Sequence, residues 1–110
     1  MKITTADETL QVSDLREFGP LEADDLIRDL RAALQPSHST VEFDFALLRS
    51  ADCDTADALL AVYAELDRGE TARVWRVANP SSDLRQLFEL VRLHHFFEIT
   101  PPRPPRMILL

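Results

Sequence analysis

The chain has 110 residues, of which 45% are apolar and 28% charged, enough apolar material for one ordinary core and too much for a disordered polymer. Its net charge of −7 argues against a nucleic-acid backbone or an anionic membrane as the main partner, because like charges repel. The only glycines are Gly19 and Gly69, so no glycine-rich phosphate loop is available, and the single cysteine, Cys53, cannot close an internal disulfide. With no signal-like apolar core in MKITTADETL and no apolar run of about 18 residues, a reducing cytoplasm is the expected location.

Residues 2–5 and 9–15 read as two short strands joined by a tight turn at Ala6-Asp7-Glu8, hence an antiparallel hairpin. Gly19-Pro20 then punctuates the chain, and Leu26, Ile27, Leu30 and Leu34 recur at helical spacing, which predicts a helix over 21–34. After a polar loop at 35–39, Val41, Phe43 and Phe45 alternate with Glu42 and Asp44, as in a strand with one buried face. A second helix carries Leu59, Leu60, Tyr63 and Leu66 as its stripe and ends at Asp67-Arg68-Gly69. Residues 71–78 are rich in strand formers. Asn79-Pro80-Ser81-Ser82 is a turn with a cap, and Leu84, Leu87, Phe88 and Val91 give a third helical stripe. His94 and His95 fall at the end of that helix, about 100° apart and so poorly placed to chelate one ion. Trp75 reads as a packing residue, and residues 96–100 as a last short strand. The proline-rich residues 101–110 cannot enter a helix or central strand and read as a mobile tail beyond a single domain over 1–100.

Alternating strands and helices predict an α/β fold: a mixed sheet of four or five strands, with three or more helices mainly on one face. Glu42 and Asp44 imply that the other face is not fully covered.

Chemistry concentrates at the junction between the strand over 41–45 and the second helix, in Asp52-Cys53-Asp54-Thr55. Aspartate is a leading N-cap residue, so Asp54 and Asp52 have an ordinary role as a helix cap and its neighbour. The same side chains also present negative charge at a helix start. A metal site built from Asp44, Asp52 and Asp54 is a further reading, because three carboxylates at one turn can hold Mg²⁺. Phosphoryl-transfer chemistry there lacks the lysine or phosphate cradle it needs, since Lys2 is the only lysine. Cys53 stands between two aspartates with no histidine close in sequence, so it reads as a small buried or half-buried thiol rather than a nucleophile.

With Asp44-Phe45 closing a strand and Asp52-Cys53-Asp54 opening a helix, this element order resembles the STAS domain, the fold of bacterial anti-sigma factor antagonists. Pro20-Leu21-Glu22-Ala23 is similar to the start of that family's first helix, and Ala78-Asn79-Pro80 with residues 87–97 to its late strand, turn and final helix. The likeness runs to Ile99. The family's helix begins with Asp-Ser-Ser-Gly, and its second serine is the phosphate acceptor. Here Cys53 stands for the first serine, Asp54 for the second and Thr55 for the glycine. The resemblance implies a regulatory protein–protein interaction domain without catalysis or cofactor, whose partner is an anti-sigma factor with serine-kinase activity. The implied docking surface comprises Asp52, Cys53, Asp54, Thr55, Asp57 and Ala58. A phosphoserine carries a charge of about −1.5 to −2, so the carboxylate of Asp54 imitates part of the phosphorylated state permanently. A shift of one residue would make Thr55 the acceptor instead. An accessory subunit of a membrane ABC transporter, which can lack the switch serine, and a small metal-dependent enzyme are the alternative expectations.

Overall fold

Alternation along each strand decides which way the sheet faces. In the computed structural model, which describes residues 1–67 and 73–99, β1 spans Lys2–Ala6, β2 Thr9–Ser13, β3 Thr40–Asp44, β4 Val74–Ala78 and β5 Glu98–Ile99. Leu10 and Val12, Val41 and Phe43, and Trp75 and Val77 turn to one face and are buried. Between them, Gln11, Glu42 and Arg76 turn to the other. There the Gln11 amide donates to Glu42 at 2.8 Å, Arg76 lies 3.7 Å from Glu42, and Arg76 Nε donates to Glu98 at 3.0 Å. A polar ladder thus crosses four strands on the face away from the core.

The five strands lie side by side in chain order. β1 and β2 pair antiparallel through a turn at Asp7, whose φ of 56° is left-handed and suits aspartate. β2, β3, β4 and β5 are mutually parallel. Each parallel step is bridged by a helix: α1 Pro20–Ala33, α2 Cys53–Leu66 and α3 Ser82–Leu90. Successive right-handed crossovers that always advance in one direction place every helix on the same side. The buried residues agree, since Leu26 and Leu30 of α1, Leu59 and Val62 of α2, and Leu84 and Phe88 of α3 join the apolar sheet face in one cluster. Phe43 sits at its centre, with ring centroids 6.2 Å from Trp75, 6.3 Å from Phe97 and 6.4 Å from Phe45. None of the described helices is long and apolar enough to cross a membrane.

Three local expectations are corrected. The inward stripe of α2 runs through Ala58, Leu59, Val62 and Leu66, whereas Leu60 is 39% exposed and Tyr63 only half-buried. α3 stops at Leu90, so Val91 is exposed and outside its stripe. Arg92 takes a left-handed φ of 62°, and His94 and His95 belong to a separate 3₁₀ turn, Leu93–His95, with their rings 4.4 Å apart. The expected helix end at Arg68-Gly69, the start of the strand over 71–78, Thr100 and the tail over 101–110 lie outside the described residues.

Tyr63 reports on the last turn of α2. A hydrogen bond to Asp67, then burial, then the negative charge of Asp67 raise its pKa above the ordinary tyrosine value. The folded state therefore favours the neutral phenol. The stability this adds is fully present below the unfolded-state pKa and is lost as pH rises through the folded-state one. Tyr63 is the only tyrosine, so phenolate absorbance titrates it alone. The midpoint is expected above that of a free tyrosine and to fall in Asp67→Asn; coincident midpoints in the two proteins would contradict this.

Candidate functional site

Asp52 precedes the first apolar turn of α2 with extended backbone (φ −143°, ψ −171°), the geometry of an N-cap. Its Oδ1 accepts from the Thr55 N–H at 3.2 Å, and Thr55 Oγ1 accepts from the Asp52 N–H at 3.3 Å. The threonine hydroxyl also lies 3.4 Å from Asp52 Oδ1, to which it donates. This is a capping box with threonine in the place usually held by glutamate or glutamine. Two of the orphan donors at the helix start are satisfied by it.

The box sets the register of everything that follows. Thr55 is turned inward and only 2% exposed, and Ala56, Ala58 and Leu59 are buried with it. Cys53, Asp54 and Asp57 face solvent, so the cysteine is exposed and not the buried or half-buried thiol expected. Two further expectations fall as a result. Thr55 is not an accessible phosphate acceptor, because its hydroxyl is enclosed and committed to the cap. Ala58 is a core residue and not part of a surface. The exposed set is Asp52, Cys53, Asp54 and Asp57, with the half-exposed Leu47 on the loop before the helix. Asp54 is the second residue of α2, where free N–H groups and the helix dipole favour negative charge.

Asp44 closes β3 and anchors the loop that leads to this turn. Its Oδ1 accepts from the Ala46 N–H at 2.9 Å and from Asn79 Nδ2 at 3.0 Å. Asn79 adopts a left-handed φ of 55°, a conformation asparagine tolerates, and this brings its amide across from the end of β4. Phe45 N–H donates to the Ala78 carbonyl at 3.0 Å, Leu48 N–H to Phe45 at 3.1 Å and Arg49 N–H to Arg16 at 3.0 Å. The loop is thereby tied to both neighbouring connections. The role of Asn79 was not apparent in the sequence; its only signal is a preference for left-handed turns.

Asp44, Asp52 and Asp54 do not form a metal site. Among the described residues no three histidine, cysteine, aspartate or glutamate side chains converge on a common point. The Asp44 carboxylate is held by Asn79 and Ala46, and that of Asp52 by Thr55, while Asp54 lies on the exposed side of the turn. The expectation of a metal-dependent enzyme at this turn loses its constellation.

No family sequence model and no curated protein matches the chain. Solved structures do. A Thermotoga maritima protein proposed to be an anti-sigma factor antagonist superposes with a TM-score of 0.73 at 9% identity, over 92% of this chain and 86% of its own. The Bacillus cell-fate determinant SpoIIAA, in its phosphorylated form, superposes with a TM-score of 0.64 at 19% identity, over 91% of this chain and 90% of its own. The fold is that of a STAS domain. Within this STAS-like domain the capped start of α2 lies at the carboxyl end of β3, where open α/β sheets commonly place their sites.

The cap makes a testable energetic claim. Asp52→Ala and Thr55→Val should each lower unfolding free energy by about 1–2 kcal/mol in urea titrations. The double variant should lose clearly less than the two costs together, because one box is broken only once. Strict additivity would show that the two residues act independently.

Proposed function

We propose that the chain is a non-enzymatic, cytoplasmic regulator of the anti-sigma factor antagonist type, acting by docking to a protein partner through the start of α2. An anti-sigma factor with serine-kinase activity is the partner this reading implies. Asp52, Cys53, Asp54 and Asp57 form the docking surface. Asp54 carries a fixed charge where switching members of the family carry a removable one.

The observation that supports this most is the placement of Asp54. It is exposed, it is the second residue of a capped helix, and it stands at the position that resembles the family's acceptor serine. One of the similar folds was determined as a phosphorylated protein. A carboxylate and a phosphate both suit this helix start, but the carboxylate has one charge against about −1.5 to −2 and cannot be added or removed. Thr55 offers no substitute acceptor, because its hydroxyl belongs to the cap. On this reading the protein does not switch by phosphorylation at the family position.

Intact-mass analysis after incubation with a kinase-type anti-sigma factor and ATP tests the reading. The wild-type mass should stay unchanged, and Asp54→Ser should gain a single phosphate at position 54. A phosphate on the wild-type turn would overturn the fixed-charge reading. Failure of Asp54→Ser to be modified by a kinase that does phosphorylate an authentic antagonist would count against the partner class.

A further inference from the structure

The exposed side of α2 does not end at its acidic start. Cys53, Asp57, Leu60 and Ala64 follow at intervals of three and four residues, so they share one helix face, and all are exposed. Leu60, 39% exposed, has no need to be leucine for the core. One turn on, Tyr63 flanks this face, and its ring packs 5.4 Å from that of Phe96, which is 48% exposed. Phe96 follows the 3₁₀ turn, and its neighbour Phe97 is the buried one, with its ring 5.6 Å from that of Tyr63. On the opposite flank, Arg31 of α1 pairs with Glu65 at 2.6 Å, which closes that side with charge. Leu60, Tyr63 and Phe96 therefore form an apolar strip running away from Asp54 and Asp57.

We infer that this strip continues the docking surface and takes an amphipathic helix of a partner protein, its apolar face over Leu60 and Phe96 and its lysines or arginines toward Asp54 and Asp57. Charge selects this occupant. Asp54 and Asp57 lie at one end of the strip, and the protein as a whole carries −7. A second copy carries the same net charge of −7, so the two chains repel as wholes. At the far end Arg92, His94 and His95 are exposed, so the carboxylates meet only one end of the incoming helix. An aromatic anchor with an apolar neighbour one helical turn from a charged rim is also how helix-in-groove contacts gain affinity. The inference rests on the proposed docking role of the α2 start and extends it toward the helix's C-terminal end.

The probe is a synthetic amphipathic helix with a leucine face and lysines at one end of its polar flank, titrated into the ¹⁵N-labelled protein. Saturable shifts are expected at residues 57–64 and 96. Phe96→Ser and Leu60→Ser should each weaken binding by about tenfold or more while leaving the rest of the spectrum in place. A peptide with glutamate in place of lysine should bind at least about tenfold more weakly. Shifts confined to residues 52–57, or a Phe96→Ser protein that binds like wild type, overturn the extension and leave the docking turn intact. Shifts at 60–64 and 96 that persist unchanged in Asp54→Ser with Asp57→Ser support the apolar strip and count against the acidic turn. Self-association of the protein alone in sedimentation velocity, lost in Phe96→Ser, would assign the strip to a second copy and overturn the partner helix.

Discussion

The reciprocal hydrogen bonds between Asp52 and Thr55 are the constraint on which the rest of the site depends. They choose the residue at which α2 begins. Once that is chosen, helical periodicity sends Thr55, Ala58, Leu59, Val62 and Leu66 into the core and Cys53, Asp54, Asp57 and Leu60 to solvent. A helix beginning one residue later would put Ala56 in the buried place of Thr55 and bring the threonine hydroxyl to the exposed place that Asp54 holds. The fold enforces the choice from the other end as well, because the loop before α2 is fastened at Asp44 by Asn79 and at Arg49 by Arg16.

That geometry gives a fixed charge a physical meaning. A phosphate at the start of a helix acts by satisfying free N–H groups and by altering the field a partner meets. On the proposed reading Asp54 would supply part of that field permanently, with one charge against the phosphate's about −1.5 to −2. The sheet's far face carries a self-satisfied ladder of Gln11, Glu42, Arg76 and Glu98, in which the charges are already partnered. The start of α2 holds carboxylates directed at solvent, beside apolar side chains that no core residue covers. The contrast between the two surfaces favours α2 as the side that meets other proteins.

Much of the fold was legible because short-range rules agree with one another here. The alternation of Val41, Phe43 and Phe45 with Glu42 and Asp44 fixes a one-sided strand, and Gly19-Pro20 and Ser81 mark two helix starts. That an aspartate caps α2 was legible for the same reason, but that it is Asp52 and not Asp54 was not. What was not legible follows from degeneracy. Leu59, Leu60, Val62 and Tyr63 are all apolar, and several helical stripes can be drawn through them; only the cap decides which is buried. A threonine at the third helical position looks like a hydroxyl available to a kinase until the box encloses it. The early end of α3 turns on Arg92 adopting a left-handed backbone, which a non-glycine residue does not announce. The tie between Asn79 and Asp44 spans 35 positions, beyond the reach of local pattern.

The account's central claim is that the exposed face of α2, from its capped start, meets the partner. Hydrogen–deuterium exchange of the protein alone and bound to the partner recovered from its native cells tests this most directly. The account predicts that added protection concentrates in residues 52–64 and leaves the sheet edge at residues 2–6 unchanged. Protection confined to the sheet edge or to the polar strand face, with α2 exchanging as in the free protein, would contradict it.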